Sequence, residues 1–165
     1  MKIIIMKNIL LPTDLTLASL YPIHEICRKQ AGEPCNIYVV HTLNMPTGIA
    51  DLLFIQQRKP YEMVPDQFGE ALEMLRRKYA PGLQLLSFEF LWSNTRLYLR
   101  HYMESRNIGS IYLLEGHPYR HRLPQSTPLL PVLHKCKTPM IHVEKPHMPE
   151  YGTLTTLLYK TKMPA

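Results

Sequence analysis

Short apolar runs alternate along the chain with longer segments in which apolar residues recur at helical spacing. The short runs are rich in Ile, Val, Leu and aromatic residues, a composition typical of buried strands; they span residues 8–14, 35–43, 83–92, 110–116 and 139–145. The segments with a helical period span residues 19–32, 66–80, 94–108 and 126–136. This alternation predicts an α/β fold in which a parallel sheet lies between layers of helices.

Polar residues and prolines predict where the first three helices begin. Asp66 is the predicted N-cap of the second helix and Asn94 that of the third, because short polar side chains accept hydrogen bonds from free N–H groups. Pro22 would break a helix interior. The first helix is therefore expected to begin near Ser19, with the proline in its first turn.

Length and composition indicate one globular domain. The chain has 165 residues, of which 45% are hydrophobic and 19% are charged, and a chain of this size can bury a core without disulfides or metals. Its formal charge of +6 comes from scattered lysines and arginines, with short clusters at 76–78 and 120–122. A nucleic-acid binder would present a basic stripe on a recognised module. Neither is found, so no nucleic-acid partner is expected.

The cysteines and the N-terminus predict a cytoplasmic protein with no membrane partner. Cys27, Cys35 and Cys136 have neither metal-type spacing nor the pattern of a disulfide framework, which favours a reducing compartment. Lys7 ends the first apolar run well short of a signal peptide's hydrophobic region. No later run is long enough to span a membrane.

Two segments fall outside the regular alternation. Residues 44–65 form a long connection that contains three prolines, and its alternatives are plain packing against the domain or a lid over a site. Residues 1–146 are predicted to form the domain and residues 147–165 a C-terminal tail. For the tail, an added edge strand, a swap to a partner and a disordered end all stay open.

Candidate site residues gather at the carboxyl ends of the predicted strands, where an open parallel sheet binds its ligands. Pro12, Thr13 and Asp14 follow the first strand, Thr42 ends the second, and Gly116 follows the fourth. The alternative interpretation of Asp14 is a turn residue or cap for the helix that comes next.

Four of these segments together resemble the universal stress protein family. They are NILLPTDLT (8–16), IYVVHTL (37–43), IGSIYLLEG (108–116) and KTPMIHVEK (137–145), and the resemblance covers residues 7–145. It implies a Rossmann-like, adenine nucleotide alpha hydrolase-like α/β fold with a five-stranded parallel sheet of order 3-2-1-4-5 and helices on both faces. It also implies a homodimer formed through the last strand.

Members of one branch of that family bind ATP, and half of their site is present here. In that branch an Asp and a Pro after the first strand, and the residue after the second-strand His, contact adenine and ribose. These positions match Pro12, Asp14 and Thr42, with Thr13 between the first two. The resemblance therefore implies an adenosine half made of these residues.

The other half in the ATP-binding branch is a phosphate loop of pattern G-x2-G-x9-G-[ST]. Gly116 matches its first glycine and Thr127 its final Ser/Thr, but Tyr119 and Ser126 stand where the second and third glycines belong. The interval from Gly116 to Ser126 is also three residues shorter than the pattern requires. The resemblance implies that this loop does not wrap a triphosphate in the family's usual way.

Physical chemistry supports the same expectation, because a helix N-terminus holds phosphate through free N–H groups and proline has none. Pro128 is expected in the first turn of the following helix, and Pro131 removes another donor. Arg120, His121 and Arg122 form a basic cluster in the loop. They are interpreted either as side-chain substitutes for the missing backbone donors or as a solvated loop tip.

Two functions from different classes follow, and an enzyme ranks below both. The first is a non-catalytic, dimeric stress-response or signalling module without orthodox ATP binding, with no cofactor and with an unknown protein partner. The alternative is a nucleotide or small-anion sensor, with ATP or AMP as the nucleotide, that uses the cleft at the ends of strands 1, 2 and 4.

No nucleophile signature supports an enzyme. No metal is expected, because no carboxylate or cysteine has zinc-like spacing beside the histidines at 117, 121, 134, 142 and 147.

Overall fold

A computed structural model describes residues 5–30, 33–44 and 59–145 and contains one five-stranded parallel sheet. The strands are β1 (Lys7–Pro12), β2 (Cys35–Thr42), β3 (Leu83–Leu91), β4 (Ser110–Leu114) and β5 (Met140–Val143). Their order is β3-β2-β1-β4-β5, and every neighbouring pair is parallel. The predicted fold class and strand order are confirmed. Each strand ends one or two residues before its predicted end.

Helices cover both faces of the sheet, as predicted. They are α1 (Pro22–Lys29), α2 (Lys59–Glu62), α3 (Asp66–Tyr79), α4 (Arg96–Ser105) and α5 (Leu130–Leu133), and a 3-10 turn (Ala18–Leu20) precedes α1. Side chains alternate across each strand, so the core has two halves. Ile9 and Leu11 of β1 pack in the half that includes residues of α1 and α3, whereas Leu10 packs in the half that includes residues of α4 and α5.

The first two helix starts differ slightly from the prediction. The α-helix α1 begins at Pro22 rather than near Ser19, and Ser19 belongs to the preceding 3-10 turn. A proline suits the first position of an α-helix because it has no N–H to donate and its φ is already helical. The N-cap of α3 is Pro65, so the predicted cap Asp66 is instead the first helical residue, where its charge favours the positive end of the helix dipole.

The predicted N-cap of the third helix is wrong by one residue. Thr95 is the N-cap of α4, and its hydroxyl accepts a hydrogen bond from the Tyr98 N–H at 3.3 Å. Asn94 instead donates its side-chain amide to the Pro128 carbonyl at 2.9 Å. Asn94, which the local sequence predicted as the helix cap, therefore makes a tertiary contact with the loop after β4 instead.

The fourth predicted helix, residues 126–136, is reduced to the single turn α5. Pro128 was expected in its first turn and lies before it, and Pro131 occupies the second helical position. The residues before the turn pair with the end of β2 instead: Leu43 and Ser126 form an antiparallel bridge. Two prolines and this strand-like pairing prevent the helix from starting earlier.

The long connection and the tail lie largely outside the described residues. Residues 45–58 of the connection and residues 146–165, which include the predicted tail, are not described. At the end of the connection, the Tyr61 ring packs edge-on against Phe90 of β3 with ring centroids 4.8 Å apart. Within the described ranges, no helix is long and apolar enough to cross a membrane.

Candidate functional site

The turn after β1 is held by side-chain hydrogen bonds that fix the direction of Asp14. Leu15 follows with a left-handed backbone (φ 68°), which a branched apolar residue rarely adopts. The Thr13 hydroxyl accepts a hydrogen bond from the Leu15 N–H at 3.0 Å and bonds the Ser19 hydroxyl at 2.6 Å. The Thr16 N–H and hydroxyl both donate to the Asp14 carboxylate. The turn thus presents a buried carboxylate at the carboxyl end of β1.

The other carboxylate oxygen of Asp14 is bound by the loop that follows β4, residues 115–129, called the β4 loop below. The His117 ring nitrogen Nε2 lies 3.0 Å from this oxygen, and the Arg120 backbone N–H donates to it at 3.3 Å. Burial raises the pKa of Asp14, but the hydrogen bonds from His117 and Thr16 outweigh it and lower that pKa to about 2. Asp14 is therefore ionised at neutral pH and already has partners within the chain.

Gly116 and Tyr119 give the β4 loop a course of its own. Gly116 has a φ of +71°, the left-handed conformation that glycine adopts without cost. The Tyr119 hydroxyl accepts a hydrogen bond from the Leu114 N–H at 2.9 Å, and its ring packs edge-on against His117. Burial raises the pKa of Tyr119 to about 12. Its φ is negative, so Tyr119 does not need the backbone freedom of the glycine it replaces.

A second contact joins His41 at the end of β2 to Ser126 of the β4 loop. The His41 Nδ1 lies 2.8 Å from the Thr13 carbonyl, which can only accept, so Nδ1 carries the hydrogen. Burial lowers the pKa of His41 despite that hydrogen bond, which leaves the ring neutral at neutral pH. Nε2 then accepts from the Ser126 hydroxyl at 2.6 Å, and the Ser126 oxygen accepts the Leu123 N–H at 3.0 Å.

A third contact joins Thr42 to Thr127. The Thr42 hydroxyl donates to the Thr127 carbonyl at 2.8 Å, and the Thr127 N–H donates to the Thr42 carbonyl at 3.0 Å. The hydroxyl that matched a ribose contact is therefore hydrogen-bonded to the chain's own backbone. The Thr127 hydroxyl oxygen is itself buried and has no hydrogen-bond partner among the described residues.

A cleft of about 310 Å³ remains between the strand ends and the β4 loop. It lies beside the junction of β1 with β2 and β4, where strand order reverses and ligands of open α/β sheets bind. Most of its lining is apolar, and its charged or titratable side chains are Asp14, His41, Tyr119, Arg120 and His121. The lining residues are Pro12, Thr13, Asp14, His41, Thr42, Tyr119, Arg120, His121, Thr127, Pro128, Leu129, Leu130 and Pro131.

The cleft brings together six of the nine residues that the sequence predicted for the site. Pro12, Thr13, Asp14, Thr42, Arg120 and Thr127 line it. The other three, Gly116, Arg122 and Ser126, are not part of its lining. Gly116 shapes the loop, Ser126 bonds His41, and Arg122 is exposed.

Sequence reasoning missed the two histidines that fasten the β4 loop. His41 is a polar residue within an otherwise apolar strand, a pattern that indicates a buried hydrogen-bonded role. His117 was considered only as a metal ligand. Its partner Asp14 lies 103 residues away, so no local pattern could identify the pair. Among the described residues, no group of three or more His, Cys, Asp or Glu side chains could hold a metal, and His147 lies outside them.

Comparison with solved structures finds proteins with a similar fold. The universal stress protein UspA from Lactobacillus plantarum superposes with a TM-score of 0.54 and 15% identity, over 83% of this chain and 97% of that one. The fold is that of the universal stress proteins. A universal stress family protein from Burkholderia pseudomallei gives a TM-score of 0.51 and 9% identity over 83% and 95% of the two chains. The hypothetical protein MJ0577 gives 0.54 and 11% over 86% and 98%.

At these identities the universal stress fold is shared and the site chemistry is not established by the likeness. The predicted resemblance is confirmed at the level of fold. No protein-family model matches the sequence, and no curated protein is significantly similar to it.

Proposed function

We propose that this protein is a universal stress-type module that acts without orthodox ATP binding. It works as a non-catalytic homodimer in the cytoplasm and takes part in stress response or signalling through a protein partner. The shared fold supports the general class. The specific proposal rests on one observation, the internal hydrogen bonding of Asp14 and Thr42.

Asp14 and Thr42, two of the three residues that match adenosine contacts in the ATP-binding branch, already have partners in the β4 loop. The Asp14 carboxylate accepts from His117 and from the Arg120 N–H, and the Thr42 hydroxyl donates to the Thr127 carbonyl. A nucleotide would have to replace these hydrogen bonds to use Asp14 and Thr42 as the ATP-binding branch does. Buried polar groups that lose their partners cost about 1 to 3 kcal/mol each, so the exchange opposes binding.

The phosphate half offers few backbone donors. The turn α5 begins only at Leu130, and Pro131 at its second position has no N–H. The Thr127 N–H, which would face a phosphate in the binding branch, donates to Thr42. A triphosphate would therefore meet a short turn and the residues before it, in which Pro128 and Pro131 have no amide N–H and the Thr127 amide is already hydrogen-bonded.

The contact between Ser126 and His41 resembles a nucleophile and its base, but its surroundings favour a structural role. The Ser126 oxygen accepts the Leu123 N–H, which reduces its nucleophilic character. The next amide, Thr127 N–H, is hydrogen-bonded to the Thr42 carbonyl and does not supply an oxyanion donor. We assign Ser126 the role of fastening the loop to the sheet.

The proposed dimer forms along β5. This strand lies at the edge of the sheet, and within the described part of the chain it pairs only with β4. The Pro139 carbonyl accepts from Ile111 of β4 and the Val143 carbonyl from Glu115 just after it, so the alternate residues Met140 and His142 direct their backbone groups outward. Such an edge is suited to pairing with a second copy.

The nucleotide content of the purified protein tests the proposal. Protein isolated under native conditions without added nucleotide is denatured, and the released small molecules are separated and quantified by absorbance. The account predicts no adenine nucleotide and no ATP hydrolysis above buffer. ATP released in proportion to protein would contradict it, and turnover of ATP that is lost in Ser126→Ala would contradict the non-catalytic part.

A small-anion sensor is the second candidate, and the Thr127 hydroxyl favours it. This oxygen is buried without a hydrogen-bond partner among the described residues and belongs to a residue that lines the cleft. Arg120, on the same lining, could meet an anion. Calorimetric titration with AMP and with sulfate tests this function. Saturable heat that is lost in Arg120→Gln supports a sensor, and no heat at millimolar ligand rejects it.

A further inference from the structure

A second cavity, of about 560 Å³, lies at the end of the sheet opposite the cleft. Two cysteines line it: Cys27 from the last turn of α1, and Cys35, the first residue of β2. The rest of the wall comes from the turns that lead into β2 and β3: Gln30, Glu33, Pro34, Lys78, Tyr79, Pro81, Gly82, Leu83 and Gln84. The cavity is distinct from the proposed stress-module site.

The two thiols belong to one packed unit. Cys35 is buried in the core half that includes residues of α1 and α3, and Cys27 packs against that same cluster while remaining partly accessible. Their side chains also interact directly with each other. Both cysteines line the same open cavity, and Cys27 is partly accessible there, so a small oxidant has a route to the pair.

The local environment favours one thiolate in the pair. The hydrogen bond from the Cys27 thiol lowers the pKa of Cys35 and outweighs the opposing effect of burial. The same interaction raises the pKa of Cys27, which keeps its proton. Lys78 and Glu33 both line the cavity and bring one positive and one negative charge to it. The thiolate is the reactive form of cysteine toward peroxides.

We propose that Cys27 and Cys35 form a peroxide-reactive pair that closes to a reversible disulfide. The Cys35 sulfur attacks one oxygen of hydrogen peroxide, the O–O bond breaks, and a sulfenic acid and water form. The Cys27 sulfur then attacks the Cys35 sulfur, the S–O bond breaks, and a second water leaves with the Cys27 proton. Two thiols and one peroxide thus give one disulfide and two waters, and a dithiol reductant restores the pair.

Cys136 provides an internal control. It lies near the other side of the fold, where its thiol donates a hydrogen bond to the Val132 carbonyl at 3.5 Å and lines a different cavity. No other cysteine of the chain lines that cavity. A general reaction with peroxide would oxidise this half-buried thiol as well, whereas the proposed pair should react first.

Peptide mapping of the full-length protein tests the proposal. Reduced protein is treated with one equivalent of hydrogen peroxide, remaining thiols are blocked with N-ethylmaleimide, and the sample is digested with trypsin without reduction. Arg28 and Lys29 separate the two cysteines, so a disulfide yields two linked peptides. We expect linked Cys27 and Cys35 peptides that disappear after dithiothreitol, in the wild type and in Cys136→Ser, and no such product in Cys27→Ser.

The wild-type map is decisive by itself if a variant fails to fold. The proposal is overturned if Cys27 and Cys35 are both recovered with the maleimide label after peroxide treatment. It is also overturned if Cys136 is linked to either of them as often as they are linked to each other, since the reaction would then lack the selectivity that the cavity implies.

Discussion

The carboxylate of Asp14 and the ring Nε2 of His117 lie 3.0 Å apart and join two loops that are 103 residues apart in sequence. Both side chains are buried. Around this pair, His41 bonds Ser126 and Thr42 bonds Thr127, so three contacts fasten the β4 loop to the ends of β1 and β2. In this arrangement, polar groups that could bind a ligand are hydrogen-bonded within the protein, and the proposed function follows from it.

The Asp14 contact should make stability depend on pH in the acid range. The folded-state pKa of Asp14 is about 2 against an ordinary value of 3.8, so the stabilisation is present above the ordinary value and is lost as the pH falls toward 2. The linked free energy is about 2 kcal/mol, from roughly 1.4 kcal/mol per pKa unit. Urea unfolding of the wild type and Asp14→Asn at several pH values checks this. His41 is present in both proteins, so its contribution to the pH dependence cancels in the difference between their free energies of unfolding. A difference that stays constant from pH 6 to pH 3 would contradict it.

Removal of the Ser126 hydroxyl should destabilise the loop contact. In Ser126→Ala the buried His41 Nε2 and the Leu123 N–H both lose their partner, which we expect to lower the free energy of unfolding by about 1 to 3 kcal/mol. Ser105→Ala is the matched control, because that exposed hydroxyl bonds only a local carbonyl and neighbouring side chain. Its effect should stay within about 0.5 kcal/mol. Equal losses in the two variants would show that the His41 contact contributes nothing specific.

Two glycine substitutions distinguish the effect of backbone conformation on stability from the effect of available space. A methyl group at Gly116 or at Gly69 would meet no atom within 4 Å, but only Gly116 has a positive φ. Gly116→Ala should therefore lower the free energy of unfolding by about 1 kcal/mol or more. Gly69→Ala, within α3, should raise it by about 0.5 to 1 kcal/mol because alanine favours a helix. Thermal unfolding shows whether each variant is more or less stable than the wild type. A stabilising Gly116→Ala would contradict the assigned loop geometry.

A proline at the outward-facing position of β5 should separate the proposed dimer. His142→Pro removes one outward N–H, while the carbonyls at 139 and 143 keep their hydrogen bonds to Ile111 and Glu115. We expect light scattering to report a dimer for the wild type and a monomer for His142→Pro at the same high micromolar concentration. His142→Ala, which keeps the N–H, is the control and should remain dimeric. A monomeric wild type would exclude the dimer.

Much of the fold could be predicted from the sequence because its strands are continuous apolar runs separated by turn residues. The helix ends were less predictable: Asn94 looks like a cap, but its amide bonds the Pro128 carbonyl and Thr95 caps the helix. The segment 126–136 looks helical by its apolar spacing, yet its prolines and the pairing of Ser126 with Leu43 leave one turn.

The position of the cleft could be predicted from the sequence, but the contacts inside it could not. The ends of parallel strands meet at one edge, so Asp14, Thr42 and the β4 loop were expected together. Which groups bond each other depends on the path of a loop whose length and glycine content differ from the ATP-binding pattern. The roles of His117 and His41 follow only from contacts across 103 and 85 residues of sequence.

Calorimetric titration of the wild type with ATP tests the central claim most directly. Asp14→Ala is titrated in parallel, because any adenosine site of the family type would use that carboxylate. The account predicts no saturable heat for either protein up to millimolar ATP. Saturable binding by the wild type that Asp14→Ala abolishes would contradict it, since Asp14 would then be available to a nucleotide despite its hydrogen bond to His117.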